Sequence, residues 1–176
     1  GADRTYVQSA DIPFYGIPAG KLRRYFSIKN IIDVFKIIGG FFASLIILIR
    51  LKPAFVFSKG GFVSVPPCAA ARCLNIPVIT HECDFSPGLA TKINARFANQ
   101  IFVSYAKTVT FFPNTVQKKI VVTGNPVRMS FYSADAAVGR AFIQYTGNKP
   151  LLFVQGGSLG ALQINSLIEQ SILFLA

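Results

Sequence analysis

Two glycine-rich stretches follow apolar runs of the chain and could bind a phosphate group. Residues 59–64 read Lys-Gly-Gly-Phe-Val-Ser, and residues 156–160 read Gly-Gly-Ser-Leu-Gly. Glycines let the backbone approach a phosphate closely, and a following helix supplies free N–H groups and partial positive charge. Neither stretch matches the GxGxxG pattern or the lysine-containing P-loop. A tight packing turn without a ligand is the alternative in both cases.

Two further stretches add charged side chains. His81, Glu82 and Asp84 follow a third apolar run, where an imidazole and two carboxylates could transfer protons. A structural hydrogen bond between His81 and Glu82 is the alternative. Residues 124–127 read Gly-Asn-Pro-Val and would aim Arg128 at a defined point, where its guanidinium suits a diphosphate or a carboxylate. A solvated surface arginine is the alternative here.

Short apolar runs alternate with helical segments, and this predicts an α/β fold with a doubly wound parallel sheet. Strands are predicted over 54–58, 76–80, 101–104, 120–123 and 151–155. Helices are predicted over 66–74 and 89–98, with a last helix ending near residue 175. Ser86 is predicted to cap the second helix, and Pro87 suits its first turn. Each stretch described above then follows a strand, at the sheet edge where such folds bind ligands.

The composition changes over residues 124–147, where apolar runs stop and turn residues collect. We therefore predict a domain boundary just after Arg128, giving domains 1–128 and 129–176. A single strand–helix unit cannot bury its own faces. The second domain is thus expected to be the start of a larger one, and the missing initiator Met suggests that the chain begins inside a larger protein. No secretory signal peptide is expected at its start.

An apolar helix is predicted ahead of the first strand. Residues 37–49 carry no charge, and the three-or-four spacing of apolar residues extends upstream to Ile28, with Lys29, Asp33 and Lys36 on the other face. The uncharged part is too short to cross a hydrocarbon core of about 30 Å. The helix is therefore either buried on most sides or lies in a membrane interface. The residues assigned to that interface are Ile38, Phe41, Phe42, Leu45, Ile46, Ile49 and Arg50.

Composition limits the possible functions. The 176 residues are 52% hydrophobic and 14% charged, which excludes a disordered chain and a coiled coil. The net charge of +11 favours an anionic partner: lipid headgroups, nucleotide phosphates or nucleic acid. Three cysteines without a CxxC pattern and a single histidine argue against a disulfide framework and a zinc site. We expect no metal and no cofactor.

The order of these motifs resembles glycosyltransferase family 28, in particular its lipid I N-acetylglucosaminyltransferases. The resemblance rests on residues 52–64, 75–82, 87–90, 124–128 and 156–161, together with Asn165. It implies a GT-B fold, in which two Rossmann-like domains, each with helices on both faces of its sheet, enclose a cleft. It also implies an inverting hexosyltransferase that moves N-acetylglucosamine from UDP-N-acetylglucosamine to lipid I, giving lipid II for peptidoglycan. Such enzymes act peripherally at the cytoplasmic face of the bacterial inner membrane.

The resemblance assigns roles to individual residues. Glu82 and Asp84 take catalytic positions, although many members have Asn at the second. The implied substrate-binding residues are Gly60, Gly61, Phe62, Arg128, Gly157, Ser158 and Asn165. Phe62 replaces a frequent Tyr and Leu159 a frequent Gln. The family's first strand, its histidine-bearing first glycine loop and most of the donor domain have no counterpart here, so the chain alone is expected to be inactive.

The implied partners are UDP-N-acetylglucosamine, lipid I and anionic inner-membrane lipids, with other cell-wall synthesis proteins as further candidates. One alternative is a non-catalytic membrane-docking subunit of a split glycosyltransferase. Another is a related glycolipid synthase with a different acceptor. Nucleic-acid binding is disfavoured because the basic residues are spread along the chain and no known nucleic-acid-binding motif occurs.

Overall fold

The computed structural model describes residues 2–20, 29–156 and 161–175. The chain divides into two compact units, Gly1–Val127 and Arg128–Ala176. This division falls one residue from the boundary predicted from composition. The two units are described separately below.

Four parallel strands form the centre of the first unit. They are β1 (Val56–Ser58), β2 (Val78–Glu82), β3 (Gln100–Val103) and β4 (Ile120–Val122), arranged in that order across the sheet. The parallel sheet predicted from the sequence is confirmed. Strand β2 begins two residues later than predicted because Pro77 has no N–H for the ladder, and it continues through Glu82 beside β3.

Two helices connect the first three strands and cover one face of the sheet. They are α3 (Val65–Cys73) and α4 (Leu89–Phe97). Small buried residues on these helices, such as Ala71 and Ala95, pack near Val78 and Ile101. Side chains alternate along strands, and those on the other face, such as Phe57 and Val121, are exposed. In the described part of the chain, the helices next to the strands therefore lie on one face.

Helix α4 has a different start from the predicted one. Its N-cap is Gly88 rather than Ser86, and no side chain caps it. The loop before it bends over residues 84–86, and Gly88 is extended, with its N–H donating to the Glu82 carboxylate. Between β3 and β4 the chain forms a 3-10 helix, Ala106–Phe111, and the short helix α5 (Asn114–Gln117).

The long helix α2 (Lys29–Leu51) packs against α3 and follows a short helix α1 (Ala2–Gln8). The segment after α1 crosses α2, where Gly40 has no Cβ and so leaves room for the backbone of Pro18. Asp33, predicted on the solvent face, is instead buried, with the backbone of Gly20 against it. The predicted solvent face was wrong here because the crossing segment covers it.

By length and composition alone, one helix in the described residues could cross a membrane, over Asp33–Leu51. The prediction that the helix is too short to cross considered only the uncharged residues 37–49, whereas this longer stretch includes Asp33, Lys36 and Arg50. One side of the same helix packs on the protein through Ser44 and Leu48, both of which are buried. This side of the helix is therefore fixed to the folded part of the first unit.

The second unit contains a 3-10 turn (Met129–Phe131) and helices α6 (Ala136–Phe142) and α7 (Leu162–Leu175). Asp135 caps α6 by accepting from the N–H groups of Ala137 and Val138 at 2.6 and 3.4 Å. The strand predicted over 151–155 is wrong: these residues are irregular and exposed. A strand needs a hydrogen-bonded neighbour, and the described part of this unit provides none.

Candidate functional site

The turn after β1 presents two glycines at the carboxyl edge of the sheet. Gly60 and Gly61 have φ values of +82° and +79°, which an L-residue rarely adopts. Two hydrogen bonds fix the turn. The Gly60 N–H donates to Ser58 Oγ at 3.1 Å, and Ser64 Oγ donates to the Gly61 carbonyl at 2.7 Å. The Gly61 amide edge and the partly exposed Phe62 ring therefore lie at a fixed, accessible position.

Asn94 on helix α4 fixes this turn from the side. Its Nδ2 donates to Ser58 Oγ at 3.2 Å and to Ser64 Oγ at 2.7 Å, so one buried amide joins both ends of the turn. The sequence motif did not indicate this residue, because its partners lie 36 and 30 positions away. A polar residue on the buried side of an amphipathic helix was the only signal for it.

His81 joins three segments at the same edge. Its Nε2 lies 3.0 Å from the Gly124 carbonyl oxygen, which can only accept, so the ring proton is assigned to Nε2. Its Nδ1 then accepts from Lys59 Nζ at 2.9 Å. The predicted pair with Glu82 does not form, because neighbouring residues of a strand point to opposite faces. His81 instead anchors the turn that precedes Arg128.

Glu82 organises the loop after β2. Its Oε1 accepts from the Asp84 N–H at 3.0 Å and its Oε2 from the Gly88 N–H at 3.1 Å. The side chain is 6% exposed, so the carboxylate is buried and holds both ends of the loop. Asp84 lies on that loop and is exposed. Of the two predicted catalytic carboxylates, the structure therefore places only Asp84 where a substrate could reach it.

An aromatic cluster lies beside this loop. The ring of Phe85 is 6.1 Å from that of Tyr105 and 5.7 Å from that of Phe111, and Lys107 Nζ lies 5.9 Å from the Phe85 ring centre. All three rings are partly exposed. Thr108 Oγ1 donates to the Phe85 carbonyl at 2.9 Å and so fixes the loop. No periodic pattern in the sequence includes these residues, so the sequence did not indicate them.

The α2 residues that the sequence assigned to a membrane interface fall into two groups. Ile38, Phe42, Ile46, Ile49 and Arg50 are exposed. Phe41 and Leu45 are half-buried and pack against the core, so they offer less apolar surface to an interface than the first group. Two residues that the prediction left out, Val34 and Phe35, are exposed beside the first group. Their spacing follows the helical repeat, which puts them on the outer side with Ile38 and Phe42.

The remaining predicted residues belong to the second unit. Arg128 is exposed and precedes the 3-10 turn, where its carbonyl accepts from the Phe131 N–H at 3.0 Å. Asn165 is exposed on the first turn of α7. Gly157 and Ser158 lie outside the described residues. Within the described residues, no three His, Cys, Asp or Glu side chains are placed to hold a metal ion.

Comparison with known proteins supports a specific family. The model of the glycosyltransferase family 28 N-terminal domain matches residues 1–103. The chain belongs to glycosyltransferase family 28. A family 28 origin agrees with the parallel sheet and with glycine turns at its carboxyl edge.

Several family 28 relatives match almost the whole chain. The enzyme of Treponema denticola named UDP-N-acetylglucosamine–N-acetylmuramyl-(pentapeptide) pyrophosphoryl-undecaprenol N-acetylglucosamine transferase is 60% identical over 99% of this chain and 47% of its own length. A protein of the same name from Treponema pallidum (strain Nichols) is 53% identical over 99% of this chain and 46% of its own length. One from Bacillus anthracis, whose name ends in the suffix 2, is 41% identical over 98% of this chain and 48% of its own length. The chain thus spans about half the length of these curated relatives.

A solved structure is also similar. The crystal structure of Acinetobacter baumannii MurG aligns with a TM-score of 0.55 and 29% identity, over 74% of this chain and 36% of that one. This likeness supports the GT-B fold implied by the motifs, of which the chain contains a part.

Proposed function

We propose that this chain is part of an enzyme that transfers N-acetylglucosamine from UDP-N-acetylglucosamine to undecaprenyl-diphospho-muramoyl-pentapeptide, with inversion at the sugar. The observation that carries the proposal is the 60% identity to the Treponema denticola transferase across nearly the whole chain. The glycine turn, His81 and the loop bearing Asp84 meet at one sheet edge, which supports a substrate site there. We propose that this transfer needs no cofactor, because the nucleotide already activates the sugar.

Within this proposal the acceptor occupies the carboxyl edge of the first unit. The Gly60–Gly61 turn lies close to its diphosphate, and Asp84 contacts its attacking hydroxyl. Glu82 is a positioning residue, because backbone N–H groups already occupy both of its oxygens. Arg128, Gly157, Ser158 and Asn165 contact the sugar nucleotide.

The exposed side of α2 binds the inner membrane in this proposal. Phe42, Ile46 and Ile49 would bury apolar surface among the acyl chains, at about 25 cal/mol per Å². Arg50 at the end of the helix and the net charge of +11 favour anionic headgroups. The enzyme is thereby held at the cytoplasmic face of the membrane that contains its lipid acceptor.

A hybrid protein tests the function directly. This chain replaces the matching segment of the Treponema denticola transferase, which supplies the remainder of its own length. Purified hybrid is given radiolabelled UDP-N-acetylglucosamine and membranes that contain the lipid acceptor. We expect labelled lipid product, and a loss of rate of about tenfold to a hundredfold in Arg128→Ala, since an ionic hydrogen bond contributes about 1.5–3 kcal/mol.

Arg140→Ala is the matched control, because Arg140 is also an exposed arginine of the second unit and has no assigned role. This variant should retain the rate of the hybrid. A folded hybrid that binds membranes but transfers no sugar, under conditions where the Treponema denticola enzyme does, would contradict the proposal and favour a docking subunit.

A further inference from the structure

Three side chains meet where β1 and β2 end, and they suggest a property independent of sugar transfer. Lys59 follows β1 and Cys83 follows β2, and Lys59 Nζ lies 2.7 Å from Cys83 Sγ. The same nitrogen lies 2.9 Å from His81 Nδ1, and the sulfur lies 3.5 Å from that ring nitrogen. The function proposed above assigns no role to Lys59 or Cys83.

The distance between nitrogen and sulfur is short for these atoms. An N–H that donates to oxygen places the two heavy atoms about 2.9–3.0 Å apart, and sulfur is larger than oxygen. The Lys59–Cys83 distance is nevertheless below that value. A single oxygen atom bonded to both nitrogen and sulfur would span this gap.

The fold keeps the two side chains together. The ladder pairs Ser58 with Thr80, so Lys59, the next residue, leaves the sheet level with His81. Cys83 follows the end of β2 two residues further on, where its sulfur lies 2.7 Å from Lys59 Nζ. Two groups held in this way react as if each were present at very high concentration. Cys83 is also half-buried rather than enclosed, so a small oxidant can reach its sulfur.

The other two cysteines have different surroundings. Cys68 is fully buried, and burial raises the pKa of its thiol to about 11, which keeps it protonated and unreactive. Cys73 is exposed at the end of α3 and serves as a comparison for general thiol oxidation. The contact with a lysine nitrogen distinguishes Cys83.

We propose that Lys59 and Cys83 form a covalent N–O–S cross-link when the protein is exposed to a peroxide. Lys59 first gives a proton to water. One peroxide then oxidises the thiol to S–OH, and a second oxidises the amine to NH–OH. These two groups condense with loss of water, forming the O–S bond. Overall, RNH₂, R′SH and two H₂O₂ give RNH–O–SR′ and three H₂O, so nitrogen and sulfur are oxidised and the peroxide oxygens are reduced.

The cross-link would change the sheet edge. It joins the ends of β1 and β2 beside the Gly60–Gly61 turn and replaces the ammonium of Lys59 with a neutral nitrogen. A positive charge is therefore removed from the edge, and the charged donor beside His81 Nδ1 becomes a neutral N–H. A thiol reductant cleaves the O–S bond and opens the cross-link: RNH–O–SR′ and two R″SH give RNH–OH, R′SH and R″SSR″.

Mass spectrometry of the peroxide-treated full chain tests this proposal. We expect a cross-linked peptide that contains Lys59 and Cys83, with one oxygen gained and two hydrogens lost, and with no tryptic cleavage after Lys59. Dithiothreitol should abolish it. The peptide should persist in Cys73→Ser and disappear in Lys59→Met and Cys83→Ser, with thermal unfolding measured to show that each variant is folded.

Two results would overturn the proposal. The first is oxidation of Cys83 to sulfenic or sulfinic acid alone, with Lys59 still cleaved by trypsin. The second is equal oxidation of Cys73 and Cys83 with no cross-link in wild type. If Lys59→Met fails to fold, Lys59→Arg provides a second variant, since its guanidinium keeps the charge but cannot form the N–O–S bond.

Discussion

His81 donates a hydrogen bond from Nε2 to the carbonyl oxygen of Gly124 at 3.0 Å, across 43 positions of sequence. The ring is 3% exposed, and its other nitrogen accepts from Lys59. One side chain of β2 therefore connects the turn after β1 to the turn after β4. The segments at this sheet edge are therefore linked by hydrogen bonds through His81 rather than being independent loops.

Removing this connection should loosen the turn that precedes Arg128. In His81→Ala the Gly124 carbonyl loses its donor, and we expect the free energy of unfolding to fall by about 1–3 kcal/mol. Amide exchange at residues 124–127 should accelerate more than exchange in β3. Urea unfolding and hydrogen exchange measure the two effects, and equal acceleration throughout the sheet would contradict the local role.

The two carboxylates of the loop after β2 should respond differently to amide substitution. Glu82→Gln replaces one accepting oxygen by a donor facing a backbone N–H, so we expect a loss of about 1–3 kcal/mol of stability. Asp84→Asn should leave stability within about 0.5 kcal/mol and keep most of the transfer rate of the hybrid enzyme, because its amide oxygen still accepts a hydrogen bond from a hydroxyl. Asp84→Ala removes that acceptor and should lower the rate. Thermal unfolding and rate are measured on all three variants. A fully active Asp84→Ala hybrid would show that Asp84 does not act on the acceptor.

Adjacent glycines should differ in the cost of an added methyl group. At both positions φ is positive, and a conformation that L-residues rarely adopt costs an alanine on the order of 1–3 kcal/mol. At Gly60 the new Cβ would also lie 3.0 Å from Thr91 Oγ1, whereas at Gly61 nothing lies within 4 Å. Gly60→Ala should therefore be the more destabilising. Thr91→Ala should recover part of that difference, and no recovery would show that only the backbone matters.

Membrane binding should depend on the outer side of α2. Phe42→Ser with Ile46→Ser removes two exposed apolar side chains, each contributing about 1.5–3 kcal/mol when fully buried. We expect at least about a tenfold loss of binding to vesicles containing anionic phospholipid, measured by sedimentation. Phe142→Ser is the matched control, because Phe142 is 87% exposed but lies in the second unit. Equal losses of vesicle binding in the α2 double variant and in Phe142→Ser would show that the outer side of α2 has no specific role in membrane binding.

Stability should fall in alkali because of Cys68. Burial raises its pKa from 9.0 to about 11, with a hydrogen bond from Ser58 opposing the shift. The unfolded thiol therefore releases its proton first, so its contribution is complete below about pH 9 and is lost as the pH rises towards 11. The full effect is about 3 kcal/mol at most. The free energy of unfolding, measured with urea, should fall less steeply with rising pH in Cys68→Ala than in the wild type. Identical slopes in the two proteins would exclude this thiol as the cause.

The sequence predicted the elements better than their contacts. Apolar runs and glycine turns place the strands of the first unit within two residues, because buried parallel strands need such runs. The three contacts of His81 join residues far apart in sequence, and no local pattern encodes them. Helix α2 was predicted, but its buried side was not, since its outer side is as apolar as its inner one. The strand over 151–155 was predicted from composition alone and has no pairing partner among the described residues.

Only residues 52–55 separate the end of α2 from the start of β1, which is at most about 14 Å of extended chain. If α2 lies on a bilayer, as in the proposed function, this short connection limits how far the amino end of β1 can move away from the lipid. Under that proposal a lipid-linked acceptor would be reached by lateral diffusion in the plane of the membrane, a two-dimensional search, while a soluble sugar nucleotide would arrive from the third dimension.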